Sequence, residues 1–174
     1  EGAQVWNRED TYGDMIYKGL GHLVKSQAPF SIPQVKRLKM AKTTTSKLKA
    51  KLDKLFSEYI RKRDSDYKGN CLCISCGKEA PAFGGSIHAG HFMSRRHMAT
   101  RWDEKNVNSQ CSYCNTFLNG NQYRASIGID KKYGEGTAKQ LEERANTTVK
   151  LSRVDYEEAI EKIKEKIRDM KLTM

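Results

Sequence analysis

An α+β fold is predicted for this chain by three observations. Two Cys-x2-Cys pairs, Cys73/Cys76 and Cys111/Cys114, have the spacing that lets four thiolates close one tetrahedral metal site. Gly69-Asn70 just before the first pair and Gly84-Gly85 between the pairs are turn signals, and a short H-A-G-H segment between the pairs suits a strand. Towards both ends of the chain, apolar residues recur at spacings of three and four, the signature of helices with one buried face. The expected architecture is a small metal-stapled core, preceded by a basic helix and followed by further helices.

The segments divide accordingly. Residues 1–40 show weak periodicity and two of the three prolines, Pro29 and Pro33, and read as an extended arm. Glu1 opens the sequence, which suggests a fragment or a processed product. Met40, opening M-A-K-T-T-T, would suit a start. Residues 41–68 read as a basic amphipathic helix. Its stripe is Leu48, Leu52, Leu55, Phe56, Tyr59 and Ile60. Lys47, Lys51, Lys54 and Arg61 lie mostly off that stripe, where they can track phosphates or simply face solvent.

Residues 69–130 form the expected core. A knuckle followed by a β-hairpin is predicted over 67–92, and an irregular loop over 93–110. A helix is predicted from about Cys111 through Phe117 towards Ile129, with Gly120 a weak point. In the C-terminal segment, 131–174, Thr137 and Gln140 predict a capping box for a short helix. Ser152 and Asp155 predict another for the last helix, whose stripe is Tyr156, Ile160, Ile163, Ile167 and Met170.

Charge narrows the function classes. The 174 residues carry 32 Lys+Arg against 21 Asp+Glu, a net charge of +11. Such an excess suits a polyanionic partner, because each neutralised phosphate releases counterions. No segment is long and apolar enough to span a bilayer and none reads as a secretory signal, so no membrane role is expected. Five cysteines cannot all pair as disulfides. In a reducing compartment, here the cytoplasm, the Cys-x2-Cys pairs read as metal ligands. Cys71 sets up a competing Cys-x-Cys with Cys73, but C-I-S-C-G has the knuckle spacing followed by a glycine. Four thiolates leave no open position, so Zn2+ at Cys73, Cys76, Cys111 and Cys114 is expected to be structural.

The interval between the knuckles, residues 77–110, is longer than a plain zinc ribbon requires. It contains His88, His91 and Asn106, and Asn115 directly follows the last cysteine. On a strand, His88 and Gly90 face one way and His91 the other. Phosphodiester hydrolysis needs a base near neutral pH and a cation at the leaving oxygen, and imidazole suits the first task. Histidine with an amide oxygen makes a thin ligand set for Mg2+ or Mn2+, completed by phosphate and water.

The order His, Asn, Asn around zinc knuckles resembles the HNH nucleases of the ββα-metal class. That resemblance implies a ββα-metal core in which His91 is the general base. Asn106 is then the loop asparagine that fixes the base, and Asn115 a metal ligand on the helix. HNH enzymes commonly place Asp just before the base, where this chain has Gly90; His88, on the same strand face, is the candidate substitute. A closer resemblance runs from about Leu52 to Arg124. The stretches L-D-K-L-F-S-E-Y-I-R-K-R-D, C-I-S-C-G, H-A-G-H-F and R-W-D-E-K-N-V-N-S-Q-C-S-Y-C-N-T-F-L-N-G-N are together similar to the lambdoid phage NinG (Rap) recombination family. Membership implies a phage protein that cuts branched DNA, such as Holliday junctions and D-loops, in the host cytoplasm.

Arg95, Arg96 and Arg101 lie in the loop between His91 and Asn106 and are candidate phosphate clamps, or else salt-bridge partners of Asp103 and Glu104. Trp102 reads as a loop anchor. The leading expectation is a metal-dependent endonuclease of branched DNA, with a homodimer attractive for a symmetric junction. Two rivals stand beside it: a zinc-stapled DNA-binding module without catalysis, and an HNH nickase of plain duplex.

Overall fold

Thr44 starts the first helix. Its Oγ1 accepts the N–H of Lys47 at 3.4 Å, and α1 (Thr45–Arg63) follows. The computed structural model describes residues 43–172, so the arm expected over 1–40, Met40 included, lies outside the described residues. In α1, Leu48, Leu52, Phe56, Tyr59 and Ile60 are buried. The basic run Arg61-Lys62-Arg63 sits in the last turn, where positive charge complements the helix dipole.

The last helix, α4 (Arg153–Leu172), begins with the reciprocal capping box predicted for it. The Asp155 N–H donates to Ser152 Oγ at 3.2 Å, and the Ser152 N–H donates to Asp155 Oδ2 at 2.6 Å. Its Tyr156, Ile160, Ile163 and Ile167 pack against the α1 stripe together with Ala89 and Val107. Each stripe could have served a dimer interface or the chain's own core. Both are used within the chain, against each other.

The strands depart from the single hairpin expected over 67–92. β1 (Asn70–Leu72) pairs antiparallel with β2 (Glu79–Pro81), and the Cys73–Cys76 knuckle occupies their turn. β3 (Ile87–His91) leaves that pair and joins β4 (Val107–Cys111), antiparallel, with His91 opposite Val107 and Ile87 opposite Cys111. The expected loop therefore ends at Asn106. Cys111, expected to open a helix, is the last residue of a strand.

A single π-helical turn, Tyr113–Phe117, follows. The helix expected to continue towards Ile129 is broken by Asn119-Gly120-Asn121, whose φ angles are 47°, 89° and 43°. Asn and Gly are the residues that tolerate this left-handed backbone. Helix α2 (Gln122–Tyr133) then starts afresh. The capping box expected at Thr137 and Gln140 does not form. Gly136 caps α3 (Thr137–Ala145), Thr137 Oγ1 donates to Gly134 O at 2.8 Å, and Asp130 Oδ1 accepts the Ala138 N–H at 2.8 Å.

Two further clusters complete the packing. Cys71, Cys73, Cys111 and Cys114 sit with Ala82 and Ile87 in one, and Phe92, Ala125, Ile129, Ala138 and Leu141 form the other. Helix α2 comes so close to the first knuckle that a Cβ on Gly128 would lie 2.0 Å from the Ile74 carbonyl oxygen. The outer edge of β4 is closed by groups from elsewhere. Ile74 N–H donates to Ser109 O at 2.9 Å, Asp64 Oδ2 accepts the Ser109 N–H at 2.8 Å, and Arg63 Nη2 donates to Val107 O at 3.1 Å. The result is a mixed α+β fold of four helices and two small sheets among the described residues. None of the described helices is long and apolar enough to cross a membrane.

Candidate functional site

The turn of β1–β2 and the end of β4 bring the four knuckle cysteines together. Their Sγ atoms all lie within 4.8 Å of one another, and Cys76 and Cys111 are 3.8 Å apart. Tetrahedral zinc with Zn–S bonds of ~2.3 Å spaces its sulfurs at about 3.8 Å, so the donor set and its size fit such an ion. Cys71 is buried but stands outside the quartet, donating to the Arg61 carbonyl at 3.3 Å. Burial pushes the Cys114 thiol up to about 12. Burial also acts against the Cys73 thiolate, yet backbone N–H groups of Cys111, Cys76 and Ser75 bring its pKa below the ordinary thiol value. A divalent cation supplies the positive charge that four crowded sulfurs need to ionise together.

The quartet fixes the π turn against the sheet, and this places Asn115. Its Nδ2 lies 3.0 Å from His88 Nδ1, a hydrogen bond in which the amide donates and the ring nitrogen accepts. Asn115 Oδ1 carries no bond to another described residue, which leaves it available to a hard cation. Apart from the cysteines, the described residues hold no group of three or more His, Cys, Asp and Glu ligand atoms this close. An ion at His88 and Asn115 would therefore draw most of its ligands from phosphate and water.

Gly90 occupies the position for which the resemblance leads one to expect a carboxylate. A Cβ there would meet Gln110 Oε1 at 2.3 Å and Gln110 Cβ at 2.8 Å. Gln110 is itself buried and held, donating to Ser75 Oγ at 2.7 Å and to Gly120 O at 2.5 Å. The glycine thus answers to a cross-strand neighbour that has filled its space.

His91 projects from the end of β3 beneath the 93–106 loop. Its Nε2 lies 3.0 Å from the Arg101 carbonyl oxygen, so Nε2–H donates and the neutral ring keeps its lone pair on Nδ1. Burial first, and then the Arg95 charge, hold its pKa down to about 4. The ring is neutral at physiological pH. It borders a cleft of ≈ 10 Å³, roughly the room one water needs, also lined by Gly90, Asn106 and Gln110. A much larger cavity of ≈ 870 Å³ lies between the end of α1, β1 and α2, and none of His88, His91, Asn106 or Asn115 lines it.

Asn106 is fully buried and ties the two ends of the loop. Its Oδ1 accepts the Met93 N–H at 2.7 Å, and its Nδ2 donates to Met93 O at 3.0 Å and Thr100 O at 2.9 Å. An apolar side chain here would leave three backbone groups without partners.

The three loop arginines separate. Arg101 is grasped by Asp53 of α1, Nε to Oδ1 at 3.0 Å and Nη2 to Oδ2 at 2.6 Å, and its Nη1 donates to the Arg95 carbonyl. Committed this way, its guanidinium is a strut that holds the loop rather than a free phosphate clamp. Arg95 and Arg96 are exposed; the Arg96 Nε donates to His97 Nε2 at 3.0 Å, and Arg95 lies close enough to bias His91. Asp103 and Glu104, expected as partners of these arginines, pair with Arg144 and Lys166 instead. Trp102 anchors the loop, its Nε1 donating to Asp53 Oδ1 at 3.0 Å and its ring edge-on to Tyr156. Lys47, Lys51 and Lys54 are exposed along α1, whereas Arg61 is half-buried and stacks over Phe83 at 5.0 Å.

Sequence reasoning missed Asp53 and Gln110, because each acts on a residue far along the chain and no local pattern marks it. It also missed Asp64 and Asn108. Asp64 takes Arg63 and Lys132, and Asn108 Oδ1 accepts from Lys132 Nζ at 3.0 Å and Tyr133 Oη at 2.8 Å.

A profile of the family described as "NinG: Bacteriophage Lambda NinG protein" matches residues 27–172. The chain belongs to the NinG family. Two curated NinG relatives, each titled "Protein ninG", come from Escherichia phage 933W and Enterobacteria phage VT2-Sa. Each is 30% identical over 89 residues, which is 51% of this chain and 41% of the relative. The match thus spans about two fifths of the length of those NinG proteins. No solved structure matches.

Proposed function

We propose that this NinG-family chain is a metal-dependent endonuclease that hydrolyses phosphodiesters in branched recombination intermediates. On this reading β3, β4 and the helical turn after Cys111 are the ββα-metal core of an HNH nuclease. The observation that carries the reading is His91, a neutral imidazole fixed by a backbone carbonyl, on a strand whose His88 meets Asn115. His91 Nδ1 takes a proton from water as that water's oxygen bonds to phosphorus and the bond to the leaving oxygen breaks. Asn106 keeps the loop that orients the imidazole. Asn115 and His88 would hold Mg2+ or Mn2+, which when bound supplies positive charge to the leaving oxygen. Zn2+ on the four cysteines holds the frame. Arg95 and Arg96, exposed and with no carboxylate partner among the described residues, are the loop cations for phosphate, joined by Lys47, Lys51 and Lys54 along α1.

The expected result is cleavage of a four-way junction by the wild type in Mg2+ or Mn2+. His91→Ala should lose about 10²-fold or more in rate while binding the junction as before. A wild type that binds but cuts with no divalent ion would leave the non-catalytic DNA-binding module in its place; the missing carboxylate at Gly90 favours that alternative. Equal cleavage of junction and linear duplex would point to the nickase.

A further inference from the structure

The π turn that carries Cys114 and Asn115 also carries two aromatic rings that pack on nothing else in the described chain's cores. Tyr113 is 61% exposed and Phe117 74% exposed, and they stack on one another with centroids 6.0 Å apart and planes 29° from parallel. Tyr123, at the start of α2, is exposed as well. Large aromatics left in water on a folded protein mark a contact surface. The stacking of Tyr113 and Phe117 already places two flat faces in line, and the metal-held knuckle fixes the turn from which they project.

Charge indicates which partner fits. From Tyr113 to Tyr133 the chain has Arg124, Lys131 and Lys132 against Asp130 alone. Asp130 is occupied at the start of α3, accepting the Ala138 N–H. Arg124 and Lys131 are exposed and make no ion pair among the described residues. Flat π faces suit nucleobases out of their stack, and a chain of net charge +11 suits the phosphates that accompany them. A paired duplex keeps its base faces covered and offers little to such a surface.

We propose that Tyr113 and Phe117 form a stacking platform for unpaired bases of the DNA substrate. The platform rests on the proposed reading that this chain acts on DNA, and it gives a branched substrate an advantage over duplex at the binding step.

The test measures binding in Ca2+, separately from cleavage. Its probes are a junction with 2-aminopurine at the branch, a single-stranded oligonucleotide, and a linear duplex. Wild type is expected to change the 2-aminopurine emission on binding. Replacing both rings by leucine (Tyr113→Leu with Phe117→Leu) should weaken single-strand and junction binding by about tenfold or more, with duplex affinity unchanged. The swap Tyr113→Phe with Phe117→Tyr should restore both. Zinc content and circular dichroism identify a variant that has lost its fold, and the wild-type emission decides the matter in that event. An emission that does not change, or equal losses on duplex and single strand, would overturn the platform. So would a leucine pair that merely dissociates a dimer and keeps its single-strand affinity, since the surface would then serve a second copy. Failure to cut any DNA would end the nuclease reading without touching this result.

Discussion

His91 is the residue on which the proposed chemistry turns, and its half-buried place at the end of β3 sets its charge state. The ring is neutral because burial and the Arg95 charge penalise its protonated form, which brings its pKa to about 4. The unfolded chain takes up that proton nearer pH 6.5. The folded state therefore loses stability as pH falls from about 6.5 towards 4, by about 3 kcal/mol in all, and is insensitive to this group at higher pH. Urea unfolding of wild type and His91→Gln across pH 4–7 measures this directly: the variant should lack that part of the acid dependence. The loop-tying place of Asn106 was legible because the resemblance puts it in a known order after His91, whose role as a base is the proposed reading. Arg101 was not. Its sequence neighbours made it look like a clamp, and only the fold brings Asp53 to it across 48 positions.

Elements were read well where burial has a period and poorly where polar residues are buried. The α1 and α4 stripes announce themselves at spacings of three and four. β4 reads V-N-S-Q-C, and Asn108, Ser109 and Gln110 are each 2% exposed or less. The Asn108 and Gln110 side chains are buried because Arg63, Lys132, Tyr133 and Ser75 reach them, and no hydropathy pattern encodes that. The missed strand caused the missed topology, since β3 without β4 had to be paired with a nearer neighbour. Asp64 secures the outer edge of β4 and is balanced by Arg63 and Lys132, which hold its carboxyl below the usual range despite burial. Asp64→Ala would leave two cations and the Ser109 N–H without their partner. We expect a cost of about 3 kcal/mol or more in urea unfolding, and a value under 1 kcal/mol would show the edge to be closed by other groups.

At the scale of the molecule, one ion's ligands come from two distant stretches, and the small cysteine cluster between them has few large apolar side chains of its own. A core of that size leans on its staple. One zinc per chain is expected by elemental analysis. Cys111→Ser, or a strong chelator, should lower the melting temperature by roughly 10 °C or more and loosen the π turn that carries Asn115. On the proposed reading, DNA affinity should fall steeply with salt, because exposed lysines and arginines would then meet phosphates. The quartet was plain from spacing alone, whereas the contact between His88 and Asn115, where a second ion is proposed, follows from no spacing rule.

That contact supplies the most direct measurement. Crystals of zinc-loaded His91→Ala with an uncut four-way junction, grown in Mn2+, would locate manganese by its anomalous scattering. A manganese peak is expected within about 2.3 Å of Asn115 Oδ1 and beside His88, distinct from zinc at the cysteines. Manganese absent from that pair, or found only elsewhere on the molecule, would contradict it.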